Sequence, residues 1–191
     1  FNQAYYRNVF NGQKKNCTIE NWVGDIYKVN LTDDILATGK DTGYSKQDYM
    51  TVEQIDGDYK LNINNYIGHT NINKTTTNDN ITIQVISKDT YMDEDEYTIK
   101  VTNKNDEVLQ LDTVNSAKSL YLEDSKGGKY SYYNHELTDQ TLAVESGQTK
   151  ELKIKFYSSY VSTKNINYMV FSNMVLKGDE LSKGLEFRAS L

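Results

Sequence analysis

The residues of this sequence best suited to chemistry are acidic, and four of them are consecutive. The stretch YMDEDEY contains Asp93, Glu94, Asp95 and Glu96. Calcium binds several carboxylate and carbonyl oxygens, so four adjacent acids could supply part of a calcium site. The spaced acids and glycine of an EF-hand loop are absent, however, and consecutive acids before a strand are commonly a solvated surface. We therefore predict no metal site and keep calcium as the alternative.

The other acidic pairs have the composition of turns. Asp33-Asp34 and Asp56-Gly57-Asp58 combine residues that favour turn conformations. Catalytic carboxylates must face each other across a cleft, and spacing in the sequence does not indicate that these do. The stretch SKGGKY, residues 125–130, lacks the frame of a phosphate-binding loop and predicts a hairpin turn.

Nucleophiles and bases are equally sparse. His69 and His135 are the only histidines, and Cys17 is the only cysteine. The Gly-x-Ser-x-Gly elbow of serine hydrolases is absent. A single thiol can form neither an internal disulfide nor a cysteine-based zinc site. We expect a protein that is not an enzyme and that uses no cofactor.

Charge and composition narrow the classes of partner. The 191 residues include 27 acidic and 21 basic side chains, and this net charge of -6 repels a nucleic acid backbone. No apolar run approaches the length that spans a bilayer. The chain starts at Phe1 and not at Met, so we expect an upstream part that has been removed. Any membrane attachment would use an anchor that this chain lacks.

The first third of the chain predicts a small α+β module, residues 1–72. Apolar residues at helical spacing predict a short helix over residues 1–12. CTIENWVGDIYKVNL, residues 17–31, predicts a strand with a bulge at Gly24, and residues 34–43 continue as a shorter strand. Asp56-Gly57 predicts a tight turn between antiparallel strands Tyr49–Ile55 and Tyr59–Ile67. The polar stretch of residues 68–80 predicts a linker, with a domain boundary near residue 73.

The remainder, residues 73–191, contains short alternating runs separated by turn residues such as Lys126-Gly127-Gly128. Seven or eight such strands are typical of an antiparallel immunoglobulin-like β-sandwich. The predicted fold class is therefore mainly β, a small α+β module followed by this sandwich.

Tyrosine is the unusual residue of this composition, with 16 copies. Its large ring and hydroxyl group favour binding surfaces, although tyrosine also fills sandwich cores. Two stretches, KYSYYN and FYSSYVS, place several rings near predicted strand ends. The candidate binding residues are Tyr130, Tyr132, Tyr133, Tyr157 and Tyr160.

Particular stretches of the sequence resemble two known protein families. QIDGDYKLNINNYI, residues 54–67, resembles the closing hairpin of NTF2-like domains. EYTIKVTNKNDEVLQLDT, LAVESGQTKELKIKF and INYMVFSNMVL resemble the DUF4352-like immunoglobulin-like domain of Gram-positive cell-surface lipoproteins; Ser146 replaces the proline usual in that family. The second resemblance implies an exported, membrane-tethered binding or structural module without enzymatic activity.

These observations lead to one expected function and two alternatives. We expect an extracellular module of a bacterial envelope lipoprotein or membrane-anchored protein that recognises a protein or glycan. The first alternative is small-ligand binding or catalysis in a pocket of the NTF2-like module, lined by Trp22, Tyr27, Tyr49 and Tyr59. The second alternative is a structural spacer, which would show neither a pocket nor a patch.

Overall fold

The computed structural model describes residues 17–23, 26–31, 49–62, 66–113, 119–132, 137–158, 165–177 and 184–191. Within these ranges the regular structure consists of β-strands, and the pairs whose register is known are antiparallel. The protein is therefore mainly β. No helix in the described part of the chain has the length and apolar content needed to cross a bilayer.

The chain divides into two compact units, Phe1–Ile67 and Gly68–Leu191. The first contains sheet A, whose strands pair in chain order. Its strands are β1 (Cys17–Val23), β2 (Ile26–Leu31), β3 (Tyr49–Ile55) and β4 (Asp58–Asn62). The predicted Asp56-Gly57 turn is confirmed, since Ile55 pairs with Asp58 and both turn residues have positive φ angles of 55° and 86°.

The single strand predicted over residues 17–31 is wrong. The chain forms two antiparallel strands there, with Asn21 opposite Tyr27 and Val23 opposite Ile26. Two strands therefore replace the single predicted one, and the predicted bulge at Gly24 lies outside the described residues. The predicted helix at residues 1–12 and the predicted strand at residues 34–43 lie outside the described residues.

The predicted linker is a strand. Strand β5 (Tyr66–Asn78) is the longest of the described strands at 13 residues and forms the edge of a sheet. Its polar composition misled the prediction, because most positions of this edge strand are exposed and Ile72 is the side chain that packs against the core cluster. The predicted boundary near residue 73 falls inside this strand, and the second predicted hairpin strand is divided between β4 and β5.

Two sheets form the second unit. Sheet B has the strand order β12-β7-β6-β5, and sheet C has the order β10-β9-β13-β8-β11, with β14 also paired to β13. The remaining strands are β6 (Ile81–Tyr91), β7 (Glu94–Asn103), β8 (Val108–Gln110), β9 (Leu120–Asp124), β10 (Lys129–Ser131), β11 (Ala143–Val144), β12 (Thr149–Tyr157), β13 (Ile166–Lys177) and β14 (Leu185–Ser190). Strands form throughout the region in which short alternating runs predicted them, and β11 is an additional strand that no run predicted.

Sheets B and C share one apolar core, which gives the unit a sandwich-like character. Alternate residues of β6, β7 and β12 meet alternate residues of β9, β13 and β14. Tyr97 and Phe156 lie edge to face at its centre, with ring centroids 5.7 Å apart and planes at 87°. Burial of the Tyr97 hydroxyl raises its pKa, since the phenolate would lose its hydration.

A buried amide fixes the turns at one end of this core. Asn103 is fully buried at the end of β7, and its Nδ2 donates to the carbonyl oxygens of Glu107 and Val144 at 2.8 and 3.0 Å. Its Oδ1 accepts the backbone N–H of Asn105 at 3.0 Å. One side chain thereby joins two segments that are distant in sequence and supplies hydrogen-bond partners for their backbone groups.

Candidate recognition surface

The outer face of sheet C carries aromatic and cationic side chains. Strand alternation directs Leu120 and Leu122 of β9 into the core and leaves Tyr121 and Glu123 on the opposite side. Register then adds side chains from neighbouring strands, because directly opposite residues share a face. We call the resulting surface the aromatic face, and it comprises Tyr121, Glu123, Lys129, Tyr168, Val170 and Arg188.

The floor of the aromatic face is apolar and separate from the main core. Tyr121 is 6% exposed and Val170 is 0% exposed, yet neither belongs to the core cluster. The two residues lie directly opposite each other on β9 and β13. Burial on the outer side of a sheet removes apolar area from water just as core burial does, so these residues add to stability.

Two cations cover the rings of this face. The Lys129 ammonium lies 4.4 Å from the Tyr121 ring centroid, and the Arg188 guanidinium lies 4.7 Å from that of Tyr168. Both distances fit attraction between a cation and the electron-rich face of an aromatic ring. Arg188 also donates a hydrogen bond to Glu123, and this raises the pKa of the guanidinium. The cations are therefore held in defined positions while Lys129 stays exposed.

The outer face of sheet B has a different chemistry. Threonine hydroxyls pair across strands, with Thr77 and Thr82 at 3.1 Å and Thr102 and Thr149 at 2.9 Å. Lysines of β12 pair with glutamates of β7. We call this surface the paired face, and it comprises Thr82, Glu94, Glu96, Thr102, Thr149, Lys153 and Lys155.

The acidic stretch is distributed by the strand instead of forming one cluster. Glu96 accepts from Lys153 at 2.8 Å and Glu94 lies 3.6 Å from Lys155, both on the paired face. Asp95 points to the other side of β7, is buried, and lies 3.8 Å from Lys88. In the described part of the chain, no three His, Cys, Asp or Glu side chains are grouped so as to hold a metal ion.

Of the tyrosines predicted to bind, Tyr130 and Tyr132 lie on the inner side of β10 or just beyond it. The Tyr130 hydroxyl donates to Asp124 Oδ2 at 2.7 Å, which lowers the pKa of Asp124 and raises that of Tyr130. Asp124 also accepts from Gly128 N, so this pair closes the predicted Gly127-Gly128 hairpin turn. Tyr132 is 3% exposed and packs in the core, so it is not part of an outer contact surface.

The other predicted residues are dispersed. Tyr157 is 56% exposed at the end of β12, whereas Tyr133 and Tyr160 lie outside the described residues. The four predicted pocket residues fall on the four strands of sheet A, and Tyr59 is 68% exposed on β4. The strand positions of the other three are Trp22 on β1, Tyr27 on β2 and Tyr49 on β3.

The histidines show no catalytic arrangement in the described region. His69 Nδ1 lies 2.7 Å from Asp89 Oδ1, and its Nε2 lies 3.2 Å from Asn71 Oδ1. Hydrogen bonds to Asp89 and Asn71 raise the pKa of His69, because both favour its protonated form. No nucleophile joins these described contacts, and His135 lies outside the described residues.

Sequence reasoning missed the residues that form the aromatic face. The alternation of KSLYLED contains the signal for Tyr121 and Glu123, because they alternate with buried leucines. Lys129, Tyr168 and Arg188 come from three other strands. Only the order of strands in sheet C brings them together, and local sequence patterns do not encode that order.

Comparison with known proteins identified no relative of this chain. The chain gives no significant match to a protein-family model, to a curated protein or to a solved structure.

Proposed function

We propose that this protein is a non-enzymatic, extracellular binding module of a bacterial envelope lipoprotein or membrane-anchored protein. The resemblance of the second unit to the immunoglobulin-like domain of Gram-positive lipoproteins supports the location. Its sandwich-like pair of antiparallel sheets agrees with an immunoglobulin-like fold without singling it out. The aromatic face is the proposed contact surface.

One observation supports this surface above all others: two cations are fixed over two tyrosine rings on an apolar floor. Tyrosine and arginine are, with tryptophan, the residue types most enriched among those that contribute most to binding between proteins. The paired face lacks this feature, since its lysines and glutamates already neutralise each other. A partner therefore gains more from the aromatic face than from the paired face.

The same geometry favours a protein over a glycan as the partner. Sugar rings commonly stack on an exposed aromatic face, but Lys129 and Arg188 already cover one side of each tyrosine ring. The exposed Lys129 ammonium can instead meet a carboxylate of a protein surface. The alternative, a ligand pocket in the first unit, stays a prediction. Of the four residues predicted to line it, Tyr59 is largely exposed.

The test measures retention of the purified chain on envelope fragments from the cells that produce it. We expect the double variant Lys129→Ala, Tyr168→Ala to lose retention about tenfold, because it removes one cation and one ring. Protease treatment of the fragments should also reduce retention of the wild-type chain, whereas removal of their glycans should leave its retention unchanged.

The matched control is Lys153→Ala, Thr82→Ala, which removes a cation and a second side chain from the paired face. It should be retained like the wild type. Equal loss for both double variants, or no loss for either, would contradict the proposed surface. Loss on glycan removal alone would replace the protein partner with a glycan.

A further inference from the structure

A cleft of about 300 Å³ lies at one end of the second unit, between strands of sheet B and strands of sheet C. It is lined by the β5–β6 turn (Asn78–Asn80), by Asn105 just after β7, and by the facing parts of β13 and β14. We call it the end cleft. Its volume is at the lower limit of the range that is usual for small-molecule sites.

The floor of the end cleft is apolar, and part of it is open to a ligand. Met174 and Leu185 line the cleft and lie directly opposite each other on β13 and β14. Met174 is 1% exposed, whereas Leu185 is 39% exposed and lies outside the core cluster. Among the described residues, Leu185 is the only large aliphatic side chain with this exposure, and the half-buried Leu176 lines the same cleft. A ligand that covers these two leucines removes apolar area from water.

Three amides in series determine which polar atom Asn80 presents at the rim. Asn103 Nδ2 donates to two carbonyl oxygens, so Asn103 Oδ1 is an acceptor. Asn105 Nδ2 donates to that oxygen at 2.9 Å, which leaves Asn105 Oδ1 to accept from Asn80 Nδ2 at 3.3 Å. Asn80 Oδ1 is then the last acceptor of the series. Asn80 is exposed and lines the end cleft, so a ligand can reach its amide.

The charged residues of the end cleft are acidic. They are Asp79 and Glu186, and no lysine, arginine or histidine is among the described residues that line it. Asp79 is exposed and takes part in none of the ion pairs between described residues. Glu186 lies 3.5 Å from Arg188, which offsets part of its charge. A free carboxylate beside an amide oxygen favours a positively charged donor and repels an anion.

The volume of the end cleft sets a limit on the ligand. At about 30 Å³ for each water molecule it holds roughly ten waters, so a ligand of about ten non-hydrogen atoms fits. An amine with one aromatic ring or a short hydrocarbon chain has this size. Such a compound also matches the apolar floor with its body and the acidic rim with its ammonium group.

We propose that the end cleft binds a small amine with an apolar body. The ammonium group lies at the rim, where the Asp79 carboxylate and Asn80 Oδ1 accept its hydrogen bonds, and the apolar body covers Leu176 and Leu185. An alkyl ammonium group keeps its charge at neutral pH. No residue of the aromatic face lines the end cleft, so either proposal can fail without the other.

A larger cleft beside β12 lacks this combination. Its volume is about 400 Å³, and side chains of both charges line it. Lys153 is paired with Glu96 at 2.8 Å, and Lys150 Nζ donates to the carbonyl oxygens of Gln140 and Ala143. These charges are engaged within the protein, so they select a ligand less strongly than the rim of the end cleft does.

The test is a titration of the chain with three related compounds. Phenethylamine supplies both the ammonium group and the ring, hydrocinnamate replaces the ammonium with a carboxylate, and ethylamine lacks the ring. The side-chain amide signals of Asn80 in a nitrogen–proton correlation spectrum report binding. We expect a saturable shift with phenethylamine and a dissociation constant of about 1 mM or tighter. Hydrocinnamate and ethylamine should each bind at least about tenfold more weakly.

Two variants, measured by calorimetry, assign the two ends of the ligand. Asp79→Asn removes the charge and keeps the turn, because asparagine tolerates the positive φ angle of 47° at this position. It should weaken phenethylamine binding about tenfold. Leu185→Ala shortens an exposed side chain, so the fold should persist, and the lost apolar contact should weaken phenethylamine binding about fivefold.

The control is Glu151→Gln, which removes one acidic charge from β12 outside the end cleft and should bind like the wild type. The absence of a saturable shift with phenethylamine overturns the proposal. Hydrocinnamate binding as tight as that of phenethylamine, or full affinity in Asp79→Asn, overturns the ammonium contact. Full affinity in Leu185→Ala overturns the role of the apolar floor. Equal losses in Asp79→Asn and Glu151→Gln would trace the effect to net charge and overturn the site.

Discussion

The outer faces of sheets B and C belong to the same unit but satisfy their side chains in different ways. On the paired face, hydroxyls meet hydroxyls and lysines meet glutamates on the next strand. On the aromatic face, an apolar floor is buried on the side of the sheet opposite the core, and two cations lie over tyrosine rings.

The two faces therefore differ in how much their side chains contribute to stability. Exposed ion pairs and threonine pairs each contribute little, because water competes for the same groups. A buried tyrosine contributes far more, since it removes a large apolar area from water. The aromatic face should therefore matter for both stability and recognition, whereas the paired face should tolerate substitution.

The largest expected effect comes from the floor of the aromatic face. Tyr121→Ala removes a nearly buried ring and leaves a gap beside Val170, and it should lower the free energy of unfolding by about 2–4 kcal/mol. Urea denaturation followed by circular dichroism measures this change. Thr102→Ala on the paired face is the control and should cost less than about 1 kcal/mol. Equal costs would remove the distinction between the two faces.

A smaller effect is expected at Arg188. Arg188→Ala loses the cation over Tyr168 and the hydrogen bond to Glu123, and it should cost about 1–2 kcal/mol. Arg188→Lys keeps the charge but not the planar guanidinium, so it should recover only part of this loss. Full recovery by lysine, measured in the same denaturation assay, would show that charge alone acts there.

On the paired face the expected effect is smaller still. Lys153→Ala removes the 2.8 Å contact with Glu96 and should cost less than about 0.5 kcal/mol. Raising the salt concentration should reduce this difference, because mobile ions screen exposed charges. A loss as large as that of Tyr121→Ala, unchanged by salt, would place the paired face among the main determinants of stability.

The smallest effect concerns pH and His69. Its pKa is raised from 6.5 by hydrogen bonds to Asp89 and Asn71, so the protonated form stabilises the folded state. This contribution is fully present below about pH 6.5, the unfolded pKa, and is lost as pH rises through the folded pKa. The melting temperature of His69→Gln should therefore fall below that of the wild type at low pH and match it at alkaline pH.

Nuclear magnetic resonance titration of the His69 ring gives the direct check. A pKa at or below 6.5 would contradict the role of Asp89. Asp89→Asn is the matched variant, and it should lower the pKa of His69 because the carboxylate is lost while a polar side chain remains.

Sequence patterns predicted most strands of the second unit, its Gly127-Gly128 turn and the Asp56-Gly57 turn of the first unit. Alternation was clear in β6, β7 and β12, where buried residues alternate with more exposed ones over most of each strand. The polar edge strand β5 was predicted to be a linker, because most of its positions are exposed and apolar alternation is therefore absent. Residues 17–31 were predicted to form one strand, because the sequence does not show that Cys17–Val23 and Ile26–Leu31 pair with each other.

The candidate surface was less predictable than the strands. Tyrosine enrichment pointed to KYSYYN, but Tyr132 lies in the core and the Tyr130 hydroxyl bonds to Asp124. Tyr121 and Tyr168 gave no comparable signal, since neither has another tyrosine close to it in the sequence. The positions of the Lys129 and Arg188 cations depend on contacts between strands, so the spacing of residues along the sequence does not predict them.

Residue patterns alone account for the β-rich character, for the side of each alternating strand that faces the core, and for the Asp56-Gly57 and Gly127-Gly128 turns. These properties depend on neighbouring residues and on intrinsic backbone preferences. The order of strands, and with it the contact of Lys129 with Tyr121, arises only in the folded chain. Strand order depends on packing between residues that are far apart in the chain, so a local sequence pattern does not predict it.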